Sequence, residues 1–471
     1  MNSDDYFTHM SWTFIGRARE LAALEGQYRQ PESSLVPVYG RRRVGKSELV
    51  LHFTRERPCI YFVGKQAPAA LQVREFLRAA ARTLEEPLLA SAGFNDWRTC
   101  LLEVVRRWRK PGKLILVLDE FQWMVEEDPS LPSVIQELWD RHWQHSGKVM
   151  LILAGSYVGF MERQVLGSQK PLGGRRTAQI LLEPFDFLEA AQFHPNTSRE
   201  DQARIYFITG GIPLYLLAFQ HTKSIAQNIC ATLLDEFSPL SHEPEFLLRE
   251  ELRGLERFQA VLDTLASGRK PLSEIAKAIG ADPRSIVYQL QTLTALGYVE
   301  RVLPMTPKAS PVRHVRYSLG DPFLRFWYRF IFPNQSLIRA NPAAAFKDVI
   351  AGELESYFGQ CFERFCRQAL GRIYQKEKVG AAYQIGEYWD KQIQIDVVGV
   401  RRDNWIDLGE CKWGSTSSAP ELIAELESRV KLYPNTHNAT IGRLIFTRRP
   451  VKAPRTENTP RFFSLDDLYS V

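Results

Sequence analysis

Gly40-Arg41-Arg42-Arg43-Val44-Gly45-Lys46-Ser47 follows the β-rich run Val36-Pro37-Val38-Tyr39 and leads into a helical stretch over residues 48–53. The octet has the form G-x-x-x-x-G-K-[ST], set between strand and helix as a phosphate-binding loop requires. Glycines there let backbone N–H groups face phosphates, and the helix N-terminus adds partial positive charge. Lys46 is the residue to reach the β and γ oxygens, and the Ser47 hydroxyl is the one to hold Mg²⁺. A basic strand-to-helix turn would look the same in isolation, so the weight falls on whether a second motif stands in register.

It does. Leu114-Ile115-Leu116-Val117-Leu118 is a continuous apolar run, as a strand buried on both faces should be, and it ends in Asp119-Glu120. Asp119 is placed to bind Mg²⁺ through a water, and Glu120 to orient and deprotonate an attacking water, so cleavage of the nucleotide is chemically available. A third apolar run, residues 149–154, ends in Gly155-Ser156 and brings a hydroxyl toward the expected γ-phosphate. Leu172-Gly173-Gly174-Arg175-Arg176-Thr177 offers Arg175 and Arg176 as the charge that hydrolysis needs in its transition state. A solvated basic loop fits that stretch equally well, and the spacing decides neither which arginine serves nor whether it acts in cis.

Outward from these motifs, residues 16–182 alternate short β-rich runs with amphipathic stretches, the parallel α/β pattern of a P-loop sheet. The core is expected over residues 1–197. Residues 198–253 turn helical around Gly210-Gly211-Ile212-Pro213, which must break or cap a helix, and read as a helical lid. Residues 254–332 predict three short helices, at 257–266, 272–279 and 283–296, followed by strands at 298–303 and 315–319: a winged helix-turn-helix. Its third helix begins with Arg284, Ser285, Tyr288 and Gln289, types that reach base edges or phosphates, and its wing carries Lys308, Arg313, His314 and Arg316. DNA contact and protein docking both remain open, because one charged residue on that helix is few for a strong phosphate binder.

Residues 333–471 form a last domain. Glu363 lies on an amphipathic run, Asp396 begins the apolar stretch Asp396-Val397-Val398, and Glu410-Cys411-Lys412 follows on a further strand. Glu410 and Lys412, two apart on a strand, share a face. Asp396 and Glu410 together would hold Mg²⁺ or Mn²⁺, Lys412 would position a water or stabilise developing charge, and Glu363 could complete the metal shell from a helix.

The chain's 471 residues, 45% hydrophobic and 24% charged, are too many for one core and too apolar for disorder, so roughly two to four domains are expected. The longest apolar runs fall well short of the ~20 residues that cross a bilayer, and no membrane partner is expected. The start Met1-Asn2-Ser3-Asp4-Asp5 has no basic, apolar leader, which predicts a cytoplasmic protein. Six cysteines are scattered without a C-x-x-C pair, which argues against a disulfide framework or structural zinc. The net charge of +6 barely favours a nucleic-acid partner by itself. The lone histidines and Trp97, Trp108, Trp123, Trp139 and Trp143 read as packing or surface residues.

Taken together, Ile15-Gly16-Arg17, the arginine-rich P-loop, Leu118-Asp119-Glu120-Phe121-Gln122, Ala154-Gly155-Ser156, Gly174-Arg175-Arg176 and Gly210-Gly211-Ile212-Pro213 resemble the archaeal-type prokaryotic ATPases, a branch of the AAA+ and STAND-like P-loop proteins. The resemblance implies ATP as the nucleotide and a place for Ile15, Gly16 and Arg17 near the adenine. It also implies that Ser156 is a sensor, and that Gly211 and Pro213 tie the lid to the nucleotide state. The C-terminal stretch resembles the PD-(D/E)xK restriction-endonuclease-like domain that closes many such chains, although no Pro precedes Asp396 and Gln394 stands where a second acid is common. Two functions follow. One is an ATPase that couples nucleotide state to a winged helix and a metal-dependent, DNA-binding or DNA-cleaving domain. The other is a STAND-like regulatory switch with an inert C-terminal domain and a protein partner docked through the winged helix; homo-oligomerisation is compatible with either. A sequence-specific DNA-binding protein whose ATPase controls oligomerisation is a third, weaker reading.

Overall fold

Five apolar runs that the sequence marks as strands pair into a single parallel sheet. In the computed structural model, which describes residues 14–306, 314–414, 418–452 and 459–471, they are β1 (Ser34–Tyr39), β2 (Cys59–Val63), β3 (Leu114–Asp119), β4 (Val149–Gly155) and β5 (Ile180–Leu181). Their order in the sheet is β2-β3-β4-β1-β5, and every residue of β1, β3 and β4 is buried. That burial explains why these strands are unbroken apolar runs: helices cover both faces and leave no side for water. Trp97, Trp108, Trp139 and Trp143 are buried in the same core as Phe76, Leu101 and Ile135, a packing role as their spacing predicts.

Strand order positions the chemistry. With β4 between β3 and β1, the segments that leave the C-terminal ends of all three meet along one edge, where open α/β sheets take their ligands. The Leu182 N–H donates to the Tyr39 carbonyl at 2.7 Å, and the Leu182 carbonyl passes so close that a Cβ on Gly40 would lie 2.2 Å from its oxygen. Only glycine fits at the first position of the loop.

The described residues up to Pro184 form one compact unit and those from Phe185 onward a second. The second opens with helices that include Arg199–Thr209 and Pro213–Ala218, separated by the predicted glycine turn. Gly210 has a left-handed φ of 64°, and a Cβ on Gly211 would stand 1.8 Å from the Phe185 carbonyl oxygen, which is backbone and cannot swing away. Gly211→Ala is therefore expected to destabilise the chain by at least about 2 kcal/mol, read as a lowered urea midpoint. Gly352→Ala, where a Cβ meets nothing within 4 Å, should leave the midpoint in place.

The winged-helix pattern appears as helices Leu255–Ala266, Leu272–Ala278 and Val287–Ala295 with the antiparallel strands β6 (Val299–Val302) and β7 (Arg316–Leu319). The third helix starts later than expected. The Asp282 carboxylate accepts from the Arg284 N–H at 2.8 Å and, with Pro283, winds residues 283–286 into a tight 3₁₀ turn before the α-helix begins.

A long helix, Leu354–Lys376, then covers a second sheet built from β8 (Tyr383–Trp389), β9 (Gln394–Arg401), β10 (Trp405–Lys412), β11 (Thr440–Thr447) and β12 (Arg461–Ser464). Its order is β12-β11-β10-β9-β8. The pairs β8–β9 and β9–β10 are antiparallel, whereas β11 runs parallel to β10 after a crossover through the helix Ala419–Val430. Among the described residues no helix is long and apolar enough to cross a membrane.

Candidate functional site

The phosphate loop is shaped by backbone conformations that few sequences allow. Gly45 (φ 91°) caps the helix Lys46–Thr54 from the left-handed region, and Arg43 takes φ 68°. Val44 is fully buried and anchors the loop from below. The Lys46 ammonium, itself buried, donates to the Arg41 carbonyl at 2.9 Å and so lies folded across the loop that it would serve. Arg17, also buried and left-handed at φ 60°, donates to the Val44 carbonyl at 2.9 Å; this ties the Ile15-Gly16-Arg17 motif to the loop.

The end of β3 completes the arrangement. The Ser47 hydroxyl donates to Asp119 Oδ2 at 2.8 Å, which brings the two oxygen donors expected for Mg²⁺ to one point. Oxygen donors of this kind suit a hard divalent cation, and the pair fits the ion that the motif calls for. Glu120 sits in the left-handed region at φ 49°, which turns its side chain across the strand ends. There its carboxylate accepts from the Ser156 hydroxyl at 2.9 Å and from the Gln122 amide.

Two further residues belong to this group without having been singled out by the sequence. Tyr61 on β2 donates its hydroxyl to the same Asp119 oxygen that Ser47 engages, and burial pushes its pKa up, with the Asp119 charge adding to the shift. Gln122 follows the acidic pair by two residues and supplies the second donor to Glu120. A tyrosine in the middle of an apolar strand carries no sequence signal of a role; Gln122 was legible only as part of a family motif.

The two arginines stand elsewhere. Arg175 makes a two-pronged ion pair with Asp140, both contacts at 2.7 Å, and it lines a polar cavity with Glu32, Ser33 and Gln144. Thr177, two residues on, pairs with Leu35 at the start of β1, whereas the phosphate loop leaves the other end of that strand. Five steps along β1 at a strand's rise separate the two by about 17 Å. Arg176 donates to the Leu166 carbonyl at 2.8 Å. Gly211 and Pro213 belong to the second unit, where Pro213 opens the helix Pro213–Ala218.

In the winged helix, Arg284, Ser285 and Tyr288 are exposed, but Gln289 is buried and points inward. The wing strand's Arg316 lies over the Trp389 ring at 5.0 Å. Lys308 and Arg313 lie outside the described residues.

The C-terminal acids gather at one end of their sheet. Asp396 on β9 accepts from the Cys411 N–H at 3.1 Å, which fixes it against β10 beside Glu410. Glu363 reaches the same place from the long helix. Burial, followed by the Asp396 charge, pushes both the Glu363 and Glu410 carboxyls up to about 7. Both carboxyls therefore favour their protonated form in this arrangement more than an exposed glutamate would.

As they stand, however, they are matched by resident cations. Glu410 is paired with Arg429 and, at 3.0 Å, with Lys412, which also reaches Glu425 at 3.0 Å. Arg269, from the loop between the first two helices of the winged helix, pairs with buried Glu387 of β8 and stands 3.9 Å from Glu363. Arg367 lies 3.5 Å from Glu387 and donates to the Asp396 carbonyl at 2.6 Å. Among the described residues no three His, Cys, Asp or Glu side chains are close enough to hold a metal together. The sequence reading assembled Glu363, Asp396, Glu410 and Lys412 and missed Glu387, Arg269, Arg429 and Glu425.

Comparison with known proteins agrees with the first of these sites. Residues 14–219 match the family described as an ATPase domain predominantly from Archaea, residues 254–303 match the IclR helix-turn-helix domain, and residues 327–422 match a family described as archaeal and bacterial proteins of unknown function. An uncharacterized protein of Methanocaldococcus jannaschii is 28% identical over 408 residues, spanning 85% of this chain and 87% of its own. A Walker-type ATPase of Pyrococcus abyssi shares the fold over 67% of this chain and 96% of its own, with a TM-score of 0.50 and 18% identity. The ORC2 protein of Aeropyrum pernix aligns over 70% of this chain and 96% of its own, with a TM-score of 0.43 and 14% identity. The first of these family matches spans the phosphate loop and the end of β3, and the second spans the three helices and β6 of the winged helix.

Proposed function

We propose that the protein hydrolyses ATP with Mg²⁺ at the phosphate loop and couples its nucleotide state to the winged helix and to a nuclease-like C-terminal domain that binds or cleaves DNA. The observation that carries the ATPase half is the contact between Ser47 and Asp119, with Glu120 held beside it by Ser156. Mg²⁺, when bound, neutralises charge on the phosphate oxygens. Lys46 would exchange the Arg41 carbonyl for those oxygens, and Ser47 and Asp119, the latter through a water, would hold the ion. Glu120 accepts the proton of the water that attacks the γ-phosphorus as the bond to the β-phosphate oxygen breaks. Arg175 is held by Asp140 near the end of β1 opposite its own phosphate loop, so its service would be to a neighbouring copy in a homo-oligomer.

Glu120→Gln separates these roles. Its amide preserves size but cannot take up a proton, so ATP binding should stay within about twofold while turnover falls on the order of 10²-fold or more. A fluorescent-nucleotide titration beside single-turnover hydrolysis measures the split; equal loss of both would remove Glu120 from the base role.

The C-terminal half rests on the order helix, three antiparallel strands, helix, parallel strand, with Asp396 and Glu410-Cys411-Lys412 at one end. A DNA-binding or cleaving role with Mg²⁺ or Mn²⁺ is the reading this arrangement supports. The regulatory switch, with protein docking by the winged helix and an inert C-terminal domain, is favoured by one observation: Arg429 and Lys412 already satisfy Glu410. Tight nucleotide binding with no stimulation of turnover by DNA would select the switch.

A further inference from the structure

The C-terminal acids are not enclosed by their own domain alone. Arg269 comes from the winged helix, and the residue after it is bonded in both directions to the wing: Lys270 N–H to the Tyr317 carbonyl at 3.0 Å, and Tyr317 N–H to the Lys270 carbonyl at 2.8 Å. The loop and β7 therefore form one rigid piece. That piece is clamped to the C-terminal domain. The Met305 N–H donates to the Glu387 carbonyl at 2.7 Å, and Tyr433 donates to the Met305 carbonyl at 3.0 Å. Arg364 grips Glu300 at 2.9 Å and the Gly320 carbonyl at 3.0 Å. Arg269 and Arg316 share the Trp389 ring, with the Arg269 guanidinium 5.6 Å from its centre.

We infer that Arg269 is an intramolecular plug: together with Arg367 of the long helix, its guanidinium supplies the positive charge that Glu387 and Glu363 need in this arrangement, and it must leave before a divalent cation can join Glu363 and Asp396. The inference deepens the C-terminal reading above and rests on it. A guanidinium is a fixed cation that cannot give up its proton to make room, so the site opens only when the winged-helix piece moves. A ligand that engages Tyr288, Arg284 and the wing would then be rewarded by exposure of the acids. The winged helix becomes a gate rather than a passive reader of DNA.

The test is direct Mn²⁺ binding to the full chain without nucleotide, followed by electron paramagnetic resonance. Arg269→Met, which keeps the apolar stem, should bind Mn²⁺ at least about tenfold tighter than the parent, a difference of ~1.4 kcal/mol. Adding Asp396→Asn should abolish the gain. Because Arg269→Met leaves buried Glu387 with only the longer Arg367 contact of 3.5 Å, Arg269→Met with Glu387→Gln is measured beside it, and thermal melting identifies whichever variant is folded. Equal affinity in parent and plug variants overturns the plug and leaves the acids a metal site. A gain that survives Asp396→Asn also overturns it, since the metal then binds elsewhere. No Mn²⁺ binding by any folded variant overturns both the plug and the metal-dependent reading of the domain.

Discussion

Lys46→Ala should reduce ATP turnover on the order of 10²–10³-fold, the loss that follows removal of one preorganised charge from a transition state. The ammonium is already at the loop, 2.9 Å from the Arg41 carbonyl, and buried, so little reorganisation is needed when phosphate arrives. The loop itself should survive the change. Its shape is set by Gly40 against Leu182, by left-handed Gly45 and by buried Val44, none of which depends on the Lys46 side chain. Phosphate release under multiple turnover, with circular dichroism as the control for folding, reads the effect. Unchanged turnover in a folded variant would sink the ATPase assignment.

Lys412→Ala should abolish metal-dependent nicking of supercoiled DNA, a loss on the order of 10²-fold or more for a group that positions water or stabilises charge. Lys412 is the only cation of the site two residues from Glu410 on the same strand face, 3.0 Å from that carboxylate. Arg429 pairs with Glu410 from the helix Ala419–Val430 and would keep the acid satisfied in the variant, so the loss would report chemistry and not collapse. The assay compares Mg²⁺ with Mn²⁺, with and without ATP, on supercoiled and linear DNA. Absence of cleavage by the parent under every one of these conditions would move the conclusion to the regulatory switch, with Asp396, Glu410 and Lys412 as parts of a binding fold.

The phosphate loop was legible in sequence because its function lies in the backbone: glycines that tolerate left-handed turns, a lysine and a serine at fixed offsets, and a strand on one side with a helix on the other. Asp119-Glu120 was legible for a related reason, since a strand buried on both faces shows as an apolar run that stops where the charges at its end begin. The winged-helix elements followed from spacing and turn residues; only the tight turn at Pro283 shifted an element's start. Tyr61 was invisible because nothing local separates a tyrosine that packs from one that also holds a carboxylate. Arg269 and Glu387 were invisible because their pairing joins two domains that the chain visits far apart, and charge patterning along a sequence does not reach that distance. Arg175 shows a different limit: the motif names the residue, but the strand direction decides which phosphates it can face.

The close passage of Leu182 over Gly40 has a mechanical meaning. Leu182, the residue that follows β5, is stitched to the phosphate loop two residues before the first unit ends at Pro184. Tension on the covalent chain leaving the unit would be felt at Gly40 with almost no slack between. A displacement of Leu182 would therefore reach the phosphate loop through a short, stiff contact, one hydrogen bond and one backbone approach away.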